Sequence, residues 1–357
     1  MLDADLGLWL DAQANGLDTG HSEPEHLLPR LADAGLMRIG VPEALGGNGG
    51  QVVDAIDAVA SVATHSLAAA FVMWGQRTFI EYLLHTPNEG LRDRLLPNLL
   101  AGRQAGATGL SNAMKFLSGI EALQISAQPQ GAGWRFDGCL HWVTNLRKQG
   151  FVVAAAIEAS DGGKPFIMAM PSDAPGLQRS ADLELLGLQS TNTAALRVEQ
   201  VELGREWLLH EDARAWLPTV RPGFLGLQCG MSIGLARRTL DEVARHIEGD
   251  RSVLRGDLDE TRERLEGLVE ALNRGLLDGS FRGAPAAMFK VRIGLADVVA
   301  AAVQLELQAS GGKAYLDQFG SGFARRLRES AFVPIVTPSL VQLRTELQRQ
   351  QARTGTA

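Results

Sequence analysis

The stretch "DGCLHWVTN", residues 137–145, is the part of the chain from which the fold can be worked out. Its Asp-Gly step separates two runs of strand-forming residues, a pattern that predicts a β-hairpin. Trp142 and Thr144 are two residues apart, so on a strand their side chains share one face and His141 lies on the other. A flat indole beside a hydroxyl indicates either a packed strand end or one wall of a pocket for a flat ligand.

Further strand-like runs follow on the C-terminal side: "QGFVVAAAIEA", "KPFIMAMP" and "TAALRVEQVEL". The last of them alternates between apolar and polar residues, as a half-buried strand does. Glycine and proline separate these runs. Together they predict a compact central β domain, an antiparallel barrel or sandwich, over residues 105–213.

Helical patterns fill the chain before this region. Residues 1–104 predict an N-terminal α-helical domain, because the leucines of "PEHLLPRLADAGLM" recur near helical spacing and an Ala-rich segment follows them. Four glycines in "GVPEALGGNGG" resemble a phosphate-binding loop. No strand precedes them and no Gly-Lys-Ser/Thr follows, so a plain connecting loop is the prediction.

Helical patterns also fill residues 214–357. Three long amphipathic helices are predicted there, the third ending at a pair of glycines. A last helix covers "PSLVQLRTELQRQ", with Pro338 at a permitted early position. Long amphipathic helices joined by short connections predict a C-terminal four-helix bundle. The whole chain is therefore predicted to be an α+β protein with a helical, a β and a second helical domain.

The composition narrows the class of protein. The chain of 357 residues has a formal net charge of −7, and no basic stripe of the kind that binds nucleic acid. Its two cysteines, Cys139 and Cys229, cannot form a disulfide scaffold, and no metal-ligand spacing is present. The first residues lack the basic region of a secretion signal, and no apolar run approaches the roughly 18 residues of a membrane span. We therefore expect a cytoplasmic protein.

The order of domains and five short motifs resemble the acyl-CoA dehydrogenase family. "LADAGLMRIGVPEALGGNGG" is similar to the family's "GL…PE..GG.G", and "DGCLHWVTN" is similar to its "G.K.WITN". "IGLARRTLDEVARHI" resembles the start of its first C-terminal helix. "LQASGGKAY" resembles its "QILGG.G" turn, and "RRLRESAFVPIVTPSLVQLR" its closing "RD….I.EGT..IQR". The resemblance implies an FAD-dependent oxidoreductase of fatty acid metabolism that acts on the CH–CH group of an acyl-CoA or related thioester.

The resemblance also implies the residues that contact the flavin. Trp142 would flank the isoalloxazine and Thr144 would bond to its N5. Asn112 and Ser118 stand where the family has a flavin-contacting Thr and Ser, although "GLSNAMKFLSG" departs from the family's "TEPGAGSD". A loop rich in small residues is the alternative for that segment.

Further implied contacts reach the pyrophosphate and adenine of FAD from a neighbouring subunit, which implies at least a homodimer and allows a homotetramer. They are Arg251, Gln308, Gly311 and Gly312, with Ser339 of the closing motif as a further cofactor-binding residue. The alternative interpretation of Arg251 is a solvated surface charge. The glycines have the alternative of a helix C-cap.

The family's catalytic base is missing. The resemblance aligns Thr337 with the glutamate that removes the α-proton, and a neutral hydroxyl is not a competent base for a carbon acid. Some family members place this glutamate on the first C-terminal helix, but residues 217–234 contain no Asp or Glu. Either Phe224 or Val220 stands at the equivalent place. Glu329, eight residues before Thr337, is a candidate for a relocated base, but the resemblance places it at an acidic position that follows a structural arginine.

Three functions remain open at this point, and the catalytic residue is unknown. In the first, the chain is a dehydrogenase with an unrecognised base, and it would pass electrons to an electron-transfer flavoprotein. Alternatively, it is a flavin-dependent monooxygenase on the same fold, or a non-catalytic subunit in a heteromer with a catalytic homologue.

Overall fold

The computed structural model describes residues 2–117, 119, 121–247 and 249–354. The chain begins with a helical part whose longest helix, α4, is buried along nearly its whole length. The Ser66 side chain caps α4 by accepting a hydrogen bond from the backbone N–H of Ala69 at 3.2 Å. The helices of this part are α1 (Ala4–Thr19), α2 (Leu27–Asp33), α3 (Val52–Ala63), α4 (Leu67–Leu84) and α5 (Glu89–Leu100).

A single sheet follows, with the strand order β6-β7-β3-β2-β4-β5-β8 and β1 paired to β4. Its strands are β1 (Ala105–Thr108), β2 (Ile125–Gln130), β3 (Gly133–Val143), β4 (Phe151–Ala159), β5 (Phe166–Pro171), β6 (Leu177–Arg179), β7 (Ala194–Gly204) and β8 (Leu208–His210). A short helix, α6 (Ser111–Leu117), lies between β1 and β2. β4 is flanked on both sides, and its continuous apolar run matches a strand that is buried on both faces.

The sheet is mixed rather than fully antiparallel. Both β1 and β2 run parallel to β4, whereas the other pairings are antiparallel. The parallel pairings arise because α6 and the β2–β3 hairpin separate these strands in sequence, which gives the chain the length it needs to cross over.

The prediction of a hairpin turn at Asp137-Gly138 is wrong. β3 runs unbroken through both residues, and the turn of the hairpin lies between Gln130 and Gly133 instead. The extra residue at this point is on β7, which has Glu199 and Gln200 between the pairs Phe136–Val201 and Gly138–Val198, and Asp137 accepts a hydrogen bond from the backbone N–H of Gln200 at 2.9 Å. Gly138 has a φ of +147°, and an added Cβ would lie 2.2 Å from the Gln124 carbonyl oxygen, so this strand position favours glycine as a tight turn does.

The C-terminal part is again helical, as predicted. Its helices are α7 (Ala213–His246), α8 (Arg255–Leu277), α9 (Ser280–Gly283), α10 (Pro285–Ser310), α11 (Asp317–Phe332) and α12 (Leu340–Thr354). α7 packs against α3, α8 and α10, so one core joins both helical parts to the sheet. The helix α11 was not predicted from the sequence. Within the described ranges, no helix combines the length and the apolar character needed to cross a bilayer.

Candidate functional site

A cavity of about 760 Å³ lies where the end of β3 meets the helical parts. We call two parts of its lining the sheet wall, residues 140–144, and the helical wall. The helical wall consists of Phe71 and Trp74 on α4, Phe332 on α11, and the following Val336-Thr337. Contacts between residues so far apart in the chain could not be found from sequence spacing, which is why the aromatic members of the helical wall were missed.

The sheet wall contains a β-bulge. Leu140 pairs with Leu196 and Val143 pairs with Ala194, so β3 has one residue more than β7 between these points. Leu140 and Val143 are buried, and His141 and Trp142 between them are both exposed and line the cavity. The predicted strict alternation, with His141 opposite Trp142, is therefore wrong, because a bulge interrupts the period of two.

Trp142 and Thr144 reach the same cavity. The Trp142 side chain is 67% exposed, which is unusual for an indole this close to a core. Thr144 is buried, and its hydroxyl lies 3.0 Å from that of Thr193. The next residue anchors this wall, since the Asn145 amide donates to Gln76 Oε1 and to the Gly106 carbonyl, each at 2.9 Å.

Asn112 also lines the cavity, but its amide is engaged. It donates to the Ala122 carbonyl at 2.8 Å and to Glu121 at 3.2 Å, which ties α6 to the segment before β2. Lys115 donates to the same carboxylate at 2.6 Å and lowers the pKa of Glu121, with the bond from Asn112 adding to the effect. Ser118, the other residue predicted for this segment, lies outside the described residues.

The residues predicted for the pyrophosphate and adenine lie away from the cavity lining. Gly311 adopts a φ of +60°, and a Cβ added there would lie 2.9 Å from a guanidinium nitrogen of Arg251. Gln308 is exposed and bonds back to the Gln304 carbonyl on its own helix. Ser339 caps α12, where it exchanges hydrogen bonds with Gln342. Arg251 and Gly311 are thus brought together, whereas Ser339 has a helix-capping position.

Thr337 lies on the helical wall and is held from behind. Its carbonyl accepts a hydrogen bond from Gln228 Nε2 at 3.0 Å, and Gln228 Oε1 accepts one from Arg292 Nε at 2.9 Å. Arg292 also donates to the Val333 carbonyl at 2.7 Å. Burial lowers the pKa of this arginine. α7 and α10 therefore fix both ends of the segment that carries Thr337.

Glu329 is fully buried and is engaged in a structural role. Its Oε1 accepts hydrogen bonds from the backbone N–H of Leu67 at 3.0 Å and from Arg325 at 2.8 Å. It therefore adds a second cap to α4 next to that of Ser66. Phe224, at the alternative base position, is also buried, with its ring 5.4 Å from that of Trp74.

Comparison with known proteins shows which proteins this chain is similar to. The model of the acyl-CoA dehydrogenase N-terminal domain matches residues 10–103. An acyl-CoA dehydrogenase of Bacillus subtilis is 27% identical over 227 residues, which are 61% of this chain and 59% of that protein. The butyryl-CoA dehydrogenase of Megasphaera elsdenii superposes with a TM-score of 0.85 at 17% identity, over 98% of this chain and 95% of that one. The chain is therefore similar to acyl-CoA dehydrogenases in its N-terminal part and in its fold.

The chain matches about three fifths of the length of these curated relatives. Its fold is shared more widely. The protein KijD3, solved with FMN and a dTDP-linked amino-keto sugar, superposes with a TM-score of 0.81 at 19% identity, over 98% of this chain and 91% of that chain. Homologues within the acyl-CoA dehydrogenase family are flavoproteins.

Proposed function

We propose that this chain is a member of the acyl-CoA dehydrogenase family and a flavin-dependent oxidoreductase that acts on an acyl thioester. The observation that carries the proposal is the exposed indole of Trp142 beside the buried hydroxyl of Thr144 in a cavity of about 760 Å³. Two further apolar side chains in the same lining, Leu186 and Ile335, are 98% and 67% exposed. Such a concentration of exposed apolar surface in a concave site is typical of a ligand pocket.

These residues fit a flavin. The Trp142 face is free to pack against a flat ring, and Thr144 adds a polar contact at the same wall. When bound there, the flavin would supply two-electron redox chemistry. This chain would orient the ring with Trp142 and exclude water with the aromatic residues of the helical wall.

We infer FAD as the flavin and a homo-oligomer as the assembly. Arg251 and Gly311 form a second polar site outside the cavity lining, where they would be available to the cofactor of a neighbouring copy. Exposed apolar residues lie close in sequence to Arg251 and Gly311, with Val253, Tyr315 and Phe319 exposed by 80%, 89% and 64%. Exposed apolar residues near a polar contact and a glycine turn support a subunit interface that shares the cofactor.

The absorption spectrum of the purified protein, with chromatography of the released flavin, tests this function. We expect bound FAD. We expect Trp142→Ala to retain flavin roughly threefold to tenfold less tightly, the loss of one aromatic contact. Trp9→Ala is the matched control, because Trp9 packs under Arg30 outside the cavity lining. A colourless protein that takes up neither FAD nor FMN would exclude the homomeric enzyme and direct attention to a heteromer with a catalytic homologue.

Anaerobic titration with acyl-CoAs then separates a dehydrogenase from its alternatives. Bleaching of the flavin would support dehydrogenation with a base other than Thr337. If the natural chain does not bleach, we expect Thr337→Glu to confer bleaching, because it places a carboxylate at the helical wall. Thr337→Gln is the control of similar size without the charge.

A second candidate function is a flavin-dependent monooxygenase. The neutral Thr337 favours it, since the reaction of reduced flavin with oxygen requires no carboxylate at this position. Oxygen uptake that depends on added reduced flavin, with no bleaching by acyl-CoA in either Thr337→Glu or the natural chain, would support this alternative over the first.

A further inference from the structure

The cavity lining contains an arginine whose guanidinium is only partly engaged. Arg328 on α11 lines the cavity together with Ala331 and Phe332. Its Nε donates to Asp18 Oδ2 at 2.7 Å, and its Nη2 lies 2.7 Å from the same oxygen. Among the described residues, Nη1 makes no hydrogen bond and no ion pair, and the side chain is 36% exposed. The end of the guanidinium, where Nη1 and Nη2 each point one N–H outward, is therefore free.

Asp18 holds this guanidinium from outside the cavity lining. It lies on α1 and is fully buried. Its other oxygen, Oδ1, accepts a hydrogen bond from the backbone N–H of Leu188 at 2.9 Å. A Cβ added to Gly187 would lie 2.7 Å from Asp18 Oδ1 and 3.4 Å from Arg328 Cβ, so glycine allows this segment to pack against the ion pair. Contacts with two other parts of the chain thus fix Arg328 without a ligand.

Two neighbouring arginines on α11 show how a purely structural arginine is used in this protein. Arg325 and Arg326 are both buried, and they bond to Glu329 and Glu306. Neither of them belongs to the cavity lining. Arg328 differs, because it lines the cavity and its carboxylate partner takes only one edge of the guanidinium. Since that partner lies outside the lining, the free end is the part that a ligand in the cavity can reach.

The other charged side chains of the lining leave Arg328 without a partner inside the cavity. Lys115 donates to Glu121 at 2.6 Å, so these two charges offset each other. Glu184 also lines the cavity, and within the described ranges it forms no ion pair. The free end of a guanidinium presents two parallel N–H groups, which match the two oxygens of a carboxylate or a phosphate. A ligand that carries such a group would therefore satisfy Arg328.

We propose that Arg328, positioned by Asp18, binds a carboxylate or a phosphate of the ligand that occupies this cavity. The proposal rests on the proposed function and adds a substrate class to it. In a thioester the anionic group is a carboxylate at the far end of the acyl chain, so the substrate is the monothioester of a dicarboxylic acid. The other source of the same chemistry is a phosphate of the flavin. Arg328 touches the ligand in either case, and Asp18 is a positioning residue.

Dissociation constants of paired thioesters test the first source. Succinyl-, glutaryl- and adipyl-CoA are compared with butyryl-, pentanoyl- and hexanoyl-CoA, so each pair has one chain length and differs by one carboxylate. We expect the natural chain to prefer the acidic member of at least one pair by about tenfold, the effect of charge-assisted hydrogen bonds. Arg328→Gln should abolish this preference without weakening the neutral member. Asp18→Asn should reduce it although Arg328 is still present.

FMN and riboflavin test the second source, because they differ by one phosphate. If the anionic group belongs to the flavin, Arg328→Gln lowers the affinity for FMN by about tenfold and leaves that for riboflavin unchanged. The thioester pairs then keep the same ratios in the natural chain and in Arg328→Gln. If Arg328→Gln does not fold, Arg328→Lys serves in both arms, since it keeps the charge but loses the paired N–H groups and should retain only part of the preference.

Lys115→Gln is the matched control, because it removes another positive charge from the same lining and should leave the ratios of both arms unchanged. An equal loss in Lys115→Gln and Arg328→Gln would overturn the proposal, since any positive charge would then serve. Ratios that Arg328→Gln changes in neither arm would overturn it as well, while thioester and flavin binding would still support the proposed function. A chain that binds neither thioesters nor flavins refutes the proposed function and this proposal with it.

Discussion

On the sheet wall of the cavity Trp142 presents its indole to open space, whereas the buried polar groups that support the helical wall lie outside the cavity lining and bond to the protein itself. Gln228 and Arg292 bind backbone carbonyls, and Glu329 caps a helix. The sheet wall therefore offers groups to a ligand. The helical wall is instead supported from outside the cavity lining, where Gln228 and Arg292 hold the segment that carries Thr337 by its backbone.

The strongest test of this comparison is Glu329→Ala. Its removal leaves the buried Arg325 without its carboxylate and the Leu67 N–H without its acceptor. We expect the free energy of unfolding to fall by about 3–5 kcal/mol, the typical effect of breaking a buried ion pair from one side. Urea unfolding measures it.

Glu184→Ala is the matched control, because Glu184 lies exposed at the cavity and should change the free energy of unfolding by no more than about 0.5 kcal/mol. An unchanged unfolding free energy in Glu329→Ala, together with lost activity, would instead make Glu329 the relocated base and break the contrast between the walls.

The sequence was sufficient for the order of helical and β parts and for the candidate sheet wall. Local patterns carry both, since helical periodicity and strand-forming runs depend on residues close in the chain. The motif "HWVTN" likewise places its residues together by chain continuity alone. The bulge at His141 could not be predicted, because it is defined only by the pairing of β3 with β7.

The helical wall was largely hidden from sequence analysis. Glu329 binds a residue 262 positions away, and no local pattern encodes that contact. The helix that carries it, α11, escaped prediction because "DQFGSGFARRLRESAF" contains two glycines and few apolar residues. Contacts with α10 and with the 3₁₀ turn Gly311–Tyr315 support the helix in spite of its composition. Tertiary packing thus overrides weak local preference at this wall.

A second test is Arg292→Met, with Arg77→Met as the matched control. Arg292 satisfies Gln228 Oε1 and the Val333 carbonyl, so its loss leaves two buried acceptors unpaired. We expect the free energy of unfolding to fall by about 2 kcal/mol. Two unpaired acceptors alone would lower it further, but removing the buried positive charge offsets part of that loss. Arg77 is equally buried but makes one hydrogen bond, to the Met37 carbonyl at 3.3 Å.

The loss in Arg77→Met should therefore be clearly smaller, as measured by urea unfolding of both variants. Equal losses would mean that burial alone, and not the support of the segment that carries Thr337, sets the contribution of these arginines.

The two cysteines give the test with the smallest expected effect. Cys139 directly precedes the sheet wall on β3, and Cys229 follows Gln228, which holds the segment that carries Thr337. Cys139 lies half-buried on β3 with its sulfur 3.1 Å from His141 Nε2, and Cys229 lies fully buried on α7 beside Gln228. Burial raises the pKa of Cys229 from 9.0 to about 12. In the native protein at pH 8 we expect a thiol reagent to modify Cys139 and to leave Cys229 unmodified, and to modify both in urea.

The same shift in pKa predicts how stability depends on pH. Above pH 9 the unfolded chain loses the Cys229 proton, whereas the folded protein keeps it. The contribution of this thiol to the free energy of unfolding is therefore complete below pH 9 and is lost as the pH rises toward 12. We expect the free energy of unfolding to fall by about 1.4 kcal/mol more between pH 8 and pH 10 in the natural chain than in Cys229→Ala. Tyr82, whose pKa burial also raises, contributes mainly above its ordinary value of 10.0, outside this window. An equal fall in both proteins would show that solvent reaches α7 behind Thr337, and that the helical wall is less closed than its hydrogen bonds indicate.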